Sequence, residues 1–255
     1  MEKKYKLLEN DTKTVDGKTL YRVEAIKDFG SIEKGDKGGY IESEDNLSQE
    51  GECWVSGDAR VFGDAWVFGD AWVYGDAWVY GAAQISENAC VYGKARVSEN
   101  ACVYGKACVS GDAWVFGAAR VFGGAQISEN ACVFGGAQIS ENACVYGKAR
   151  VSGKACVSGK ACVSGKACVS GDAWVFGNAR IRGTADYYVG KNVWSSGRYF
   201  TYTRSNKMWK VGCFYGTGEG LIAKAYRDSE VSGREYERVV KYVEAMYADL
   251  EKDKE

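Results

Sequence analysis

The sequence predicts an all-β solenoid, a parallel β-helix of about seven coils with a cap at each end, on three observations. A six-residue motif recurs without interruption from Gly51 to Arg182. Its one invariant apolar position is Val or Ile, and its first position is Gly or Glu. The flanking segments, residues 1–50 and 184–255, do not repeat.

The stretch "GKARVSGKACVSGKACVSGKACVSGDAWVF", Gly147 to Phe176, shows the period at its plainest. The consensus is [G/E]-x-A-x-[V/I]-x, and 132 residues hold 22 copies. Six residues scatter successive valines around a 3.6-residue helix, so the period is not helical. A short strand with a tight corner fits instead. Val or Ile points inward, and positions four and six flank it and point outward. Gly at position one permits the positive φ of the corner. Three strands close an 18-residue coil, and coils stacked about 4.8 Å apart give a prism roughly 35 Å long. Outward residues then align in columns. One reads Trp54, Trp72, Cys90, Cys108, Gln126, Cys144, Cys162, Arg180. The second runs from Arg60 and Trp78 to Cys168, and the third from Trp66 and Gln84 to Trp174.

The spacing Val61 to Ala65 and Val67 to Ala71 resembles the hexapeptide-repeat family, an aliphatic residue followed four places later by a small one. That resemblance implies a left-handed coil. Residues 23–55, "VEAIKDFGSIEKGDKGGYIESEDNLSQEGECWV", are similar to the lead-in segment of YdcK-like repeat proteins of bacteria and phages. "KVGCFYGTGEGL", 210–221, is similar to the tail of phage-encoded proteins of like build. The resemblance implies a fold and a mobile-element origin, but no activity.

Open coil ends expose unpaired strand groups, so both ends need covers. Residues 1–50 read as a β cap around an Asp16-Gly17 turn. Residues 184–255 read as a small α+β domain: a hairpin from "RYFTYTR" to "MWKVGCFYG", "EGLIAKAY" as a third strand, then one amphipathic helix. That helix carries Tyr236, Val239, Val240, Val243, Met246, Tyr247 and Leu250 as its stripe. "CFYGTGEG", 213–220, lacks the Lys-Ser/Thr of a phosphate loop and reads as a turn between strands.

Composition narrows the function. The chain has no histidine, which removes the usual general base and the commonest metal ligand. The acyltransferases of the hexapeptide family resemble one another in using a histidine base and an extruded loop, and this sequence has neither. Glu87 and Glu129 are conceivable bases, but they belong to a repeated Glu-Asn-Ala corner. No cofactor is expected, and no C-x-x-C pair points to zinc. With 33 basic and 34 acidic residues, nothing pulls the whole chain towards nucleic acid or membrane. No apolar leader or spanning run is visible, so the expected location is the cytoplasm of a host bacterium, with ten cysteines kept reduced.

Charge is nonetheless graded along the repeats. Residues 51–80 hold Glu52, Asp58, Asp64, Asp70 and Asp76 against Arg60, a net of −4, and residues 141–170 hold Lys148, Arg150, Lys154, Lys160 and Lys166 against Glu141, a net of +4. Trp54, Phe62, Trp66, Phe68, Trp72, Tyr74, Trp78 and Tyr80 crowd the first five hexamers. Two readings stand for them: mutual stacking under the terminal segments, or an interface, either homo-oligomeric (dimer or trimer) or with another protein. The expected function is a non-enzymatic binding protein that uses rod and C-terminal domain to bind and inhibit a host protein complex, such as an antiviral defence system. The candidate contacts are Trp209, Lys210, Phe214, Tyr215, Glu219, Arg204, Trp66, Trp72 and Trp78. The alternatives are an acyltransferase-like enzyme or a single-stranded nucleic-acid-binding module. For the latter, the aromatic and basic residues between Tyr187 and Phe214 carry the argument.

Overall fold

A computed structural model of the chain describes residues 3–252. Strands β1 (Tyr5–Val15) and β2 (Lys18–Ala25) form an antiparallel hairpin, and β3 (Lys37–Ile41) lies beside β2. The expected turn is there, with Asp16 at φ 50° and Gly17 at φ 78°. Each hexamer from Gly51 then contributes one two-residue rung, from β4 (Trp54–Val55) to β25 (Arg180–Ile181), 22 in all. Each rung pairs in parallel with the rung 18 residues on, as Cys90 with Cys108. The three faces carry eight, seven and seven rungs. β3 adds to one face above Arg60, and Leu47 bridges to Val67 on another. The N-terminal segment thus supplies a first turn of its own, so the solenoid has about eight turns rather than seven.

The interior follows from the motif. Val or Ile at position five and Ala at position three are buried along the whole rod. The corners explain the glycines. Gly105 sits at φ 75°, and a Cβ there would come 2.8 Å from the backbone nitrogen of Gly123 in the next coil. The four corner glutamates, Glu87, Glu99, Glu129 and Glu141, take the same left-handed conformation, with φ 56–59°. They are corner residues in geometry as well as in sequence.

Parallel stacking makes the two ends chemically unlike. Each coil donates its N–H groups to carbonyls of the next coil, as Trp54 N to Ala71 O. The first coil is therefore left with free carbonyls and the last with free N–H groups. At the first coil, Lys4 Nζ donates to the carbonyls of Glu50, Gly51 and Cys53 at 3.2, 3.0 and 2.9 Å. Asn46 Nδ2 donates to Gly63 O and Ala65 O, both at 2.8 Å. The N–H groups of Tyr40, Glu42 and Ser48 satisfy Ala59, Val61 and Val67. At the last coil, acceptors do the work. Thr201 Oγ1 accepts from Trp174 N at 2.9 Å, Ser205 Oγ from Arg180 N at 2.7 Å, and Asp186 Oδ2 from Arg182 N at 2.6 Å.

Those acceptors belong to or flank a four-stranded antiparallel sheet of β26 (Tyr187–Lys191), β27 (Tyr199–Thr203), β28 (Met208–Val211) and β29 (Phe214–Gly216). Strand alternation gives it two faces. Tyr187 and Val189 pack on the solenoid core, while Tyr188, Phe200, Tyr202 and Trp209 form a second core. Helices α1 (Gly218–Asp228) and α2 (Glu230–Lys252) cover that second core. The expected hairpin is present, but two further expectations are corrected. "EGLIAKAY" is helical, because Thr217 Oγ1 accepts from Gly220 N as an N-cap and Leu221 and Ala225, four apart, face the sheet. The segment 213–220 is consequently a strand end and a helix start rather than a turn between strands. The stripe of α2 faces the core except Leu250, which is exposed. Among the described residues, no helix is long and apolar enough to cross a membrane.

Candidate functional site

The observed registers reproduce all three outward columns residue for residue, from Trp54–Trp72 to Cys162–Arg180 and from Trp66–Gln84 to Cys156–Trp174. Cys90 lies beside Cys108 and Cys144 beside Cys162, and all ten cysteines are free. Burial raises the Cys90 and Cys144 thiol pKa values, which disfavours the reactive thiolate.

The early aromatics divide. Trp54 and Phe62 do not face solvent. Trp54 is buried against Tyr5 and Phe29, and Phe62 packs with Leu20 and Tyr40 of the N-terminal strands. Trp72 is half-buried against the solenoid core. Trp78 is half-buried, with the Arg60 guanidinium 4.8 Å and that of Arg96 5.7 Å from its ring centroid. Trp66 remains 43% exposed and stacks on Phe68 with centroids 4.0 Å apart.

The C-terminal candidates are sorted by the alternation of β28 and β29. Trp209 is fully buried and donates from Nε1 to Glu244 Oε1 at 2.9 Å, so it holds the fold and offers nothing to a partner. Phe214 is half-buried against the same core. Phe200 and Tyr202, two of the aromatic residues in the segment considered for nucleotide stacking, are likewise buried, whereas Tyr199 is exposed. Lys210 and Tyr215 are cross-strand neighbours on the opposite face, turned towards the last coil. Lys210 Nζ lies 5.2 Å from the Trp174 ring centroid and 4.7 Å from that of Phe176. The Tyr215 hydroxyl contacts Phe176 O at 3.4 Å and accepts from Asn206 Nδ2 at 3.2 Å. A Cβ on Gly177 would fall 2.0 Å from that hydroxyl, so a side chain there would displace the Tyr215 ring from this corner. Burial pushes the Tyr215 pKa up, which keeps the phenol neutral.

Lys210, Tyr215, Trp174 and Phe176 thus form one patch shared by rod and cap. Trp174 and Tyr215 are each 39% exposed. Sequence reasoning named Lys210 and Tyr215 but did not select Trp174 or Phe176, which appear there as one more "GDAWVF" copy. Glu219 lies elsewhere, on the first turn of α1, where it lines a cleft of about 370 Å³ with Lys207 and Glu244. Arg204 is half-buried, and its backbone N–H donates to Asp186 O at 2.9 Å. A larger cleft of about 430 Å³ opens between the sheet and the helices, lined by Asn192, Arg198, Cys213, Lys224, Asp228 and Tyr236 among others.

The sequence profile of the family described as YdcK Beta solenoid repeat matches residues 137–153, one stretch of hexamers in the middle of the rod. None of the curated proteins matches the chain. The profile and the 22 stacked rungs lead to one assignment: the chain is a YdcK-like β-solenoid repeat protein.

Proposed function

We propose that the chain is a non-enzymatic binding protein whose partner contacts the patch of Trp174, Phe176, Lys210 and Tyr215. One observation carries the reading: a lysine ammonium held beside two aromatic rings, the exposed Trp174 and the half-buried Phe176, where the rod meets its C-terminal cap. Aromatic groups flanked by a cation suit a protein loop that presents a carboxylate beside an apolar side chain. The buried sheet beneath fixes the geometry in advance, which lowers the entropy cost of docking. In its sharper form, which rests on the resemblance of residues 23–55 and 210–221 to proteins of bacteria and phages, the partner is a host protein complex, such as a defence assembly, that the rod inhibits.

The test is affinity purification from bacterial lysate with the full chain and with the variant Trp174→Ala/Lys210→Glu/Tyr215→Ala. A stoichiometric partner retained by the first and lost from the second supports the reading. A partner bound equally by both places the contact elsewhere, and Trp66→Ala is then the next variant to compare.

A further inference from the structure

The rod's charge gradient has a finer structure at one of its three corners. The position-two residues before the Arg60 face stack coil on coil: Asp58, Asp76, Lys94, Asp112, Asn130, Lys148 and Lys166, with Glu129 beside Asn130. All of these charged side chains are exposed. Among the described residues Asp76, Lys94, Asp112, Glu129, Lys148 and Lys166 form no intrachain ion pair, while Asp58 is held by Lys13 at 2.7 Å.

Read from the first coil to the seventh, the signs run minus, minus, plus, minus, minus, plus, plus. Reversed and laid against itself about the fourth coil, the column is self-complementary. Asp58 meets Lys166 of the second copy, Asp76 meets Lys148, and Lys94 meets Glu129. Only Asp112, on the axis, meets its own kind. From this we propose that the chain forms an antiparallel twofold dimer through the Arg60–Cys168 face, its centre on the fourth coil.

The face itself fits that register. Trp114 and Phe116 occupy its central rung, and Trp114 is 38% exposed. Phe116 stacks on Phe134 at 5.1 Å, which continues the apolar strip. The twofold sets Trp114 against its own copy, and brings Arg150 opposite Trp78, whose ring already lies beside the Arg60 and Arg96 guanidiniums. Bulk is matched as well. The first coil carries Phe62 beneath Leu20 and Tyr40, and the seventh, which it would face, carries Cys168 and Ser170. On the other rim the like pair Asp64–Asp172 is the single adverse contact between charged groups. Seven rungs of this width bury roughly 1,000 Å² over two copies, at the lower bound for a specific interface. A parallel twofold dimer sets the column against the opposite rim instead, where Asp58 meets Asp64 and Lys148 meets Lys154, and a threefold about this corner sets every charge against its own copies, so both bring like charges together. End-to-end stacking is closed off, since both coil ends are capped.

The test is sedimentation equilibrium of the full chain, with zero-length carbodiimide cross-linking. A dimer is expected at low salt, and it should weaken as ionic strength rises from about 0.01 to 0.15 M and the screening length falls from about 30 to 8 Å. Lys94→Glu/Lys148→Glu/Lys166→Glu should dissociate it, by about tenfold or more in Kd. Mixing that variant with Asp76→Lys/Asp112→Lys/Glu129→Lys should restore a heterodimer, which a misfolded variant would not. Asp112→Asn should tighten the dimer. Cross-links between Lys148 and Asp76, about 19 Å apart within one copy, should form only between copies. A monomer at roughly 100 µM in low salt overturns the proposal, as does an oligomer indifferent to the triple reversal or one lacking the Lys148–Asp76 link.

Discussion

The two ends of the rod solve opposite chemical problems with different architectures. The N-terminal end lacks donors, and it is finished by more of the same sheet. β3 joins the rung of Arg60, and Tyr5, Val23, Ile41 and Leu47 belong to the solenoid's own core. The C-terminal end lacks acceptors, and it is finished by a unit with a separate core around Trp209 and Val243. That unit touches the rod through hydroxyl and carboxylate side chains that accept the last N–H groups. Direction of the parallel ladder thus dictates which residue types can cap each end. Lysine and asparagine serve one end, and threonine, serine and aspartate the other. The N-terminal cap should share the fate of the coils, and the C-terminal unit should melt by itself.

Trp209→Ala is expected to have the largest effect, about 3–5 kcal/mol, because it empties the centre of the second core. Helical circular dichroism should be lost at a lower temperature while the β signal of the rod persists. Simultaneous loss of both signals would show that the two cores are one cooperative unit. Lys4→Met comes next, at about 3 kcal/mol, since three carbonyls of the first coil lose one shared buried donor. Here the damage should reach the coils. Hydrogen exchange should speed up in the rungs of Trp54 and Trp72 and leave those of Trp174 and Arg180 unchanged. Thr201→Val keeps the shape and removes one acceptor, at a cost of about 1–2 kcal/mol. The Trp174 amide should then lose protection, with the rungs below it intact.

The rod was legible in the sequence because its period has no insertion, so strand alternation and an 18-residue coil fix every neighbour. The caps were only partly legible, for a physical reason. The groups that cover Trp54 and Phe62 are Tyr5, Phe29, Leu20 and Tyr40, which lie 22 to 49 residues upstream and share no period with them. The outward face of a strand therefore reads as exposed until its cover is known. In the same way, "EGLIAKAY" is too short for its Leu221–Ala225 spacing to outweigh its neighbouring strands, and the Thr217 cap decides the matter. Trp209 and Lys210 are adjacent and were nominated together as contacts, yet Trp209 is fully buried under the helices and Lys210 is half-buried on the face towards the rod. One residue of register separates the face on the rod from the face under the helices.

The smallest effect expected at the N-terminal end is its dependence on pH, because two groups in contact pull in opposite directions. Lys4 Nζ lies 3.2 Å from Cys53 Sγ, and both are buried. Burial lowers the Lys4 pKa from 10.5, an effect only partly offset by Cys53. Its contribution is therefore fully present above 10.5 and is lost as pH falls through the folded value. Burial raises the Cys53 thiol above 9.0 and the Tyr5 phenol above 10.0. Their contributions are fully present below those values and are lost as pH climbs through the folded ones. The stability of the first coils should thus rise as pH climbs through the folded Lys4 value towards 10.5, opposed above 9.0 by the loss of the Cys53 contribution and above 10.0 by that of Tyr5. Urea titrations followed at the methyl groups of Ile41 and Val55 would trace the curve. Lys4→Met should abolish the rising limb, and Cys53→Ala should move the fall to higher pH, where Tyr5 alone remains. The methyl groups of Ile181 at the far end, which has no buried lysine, should show neither limb; a matching curve there would mean that the two ends do not open independently.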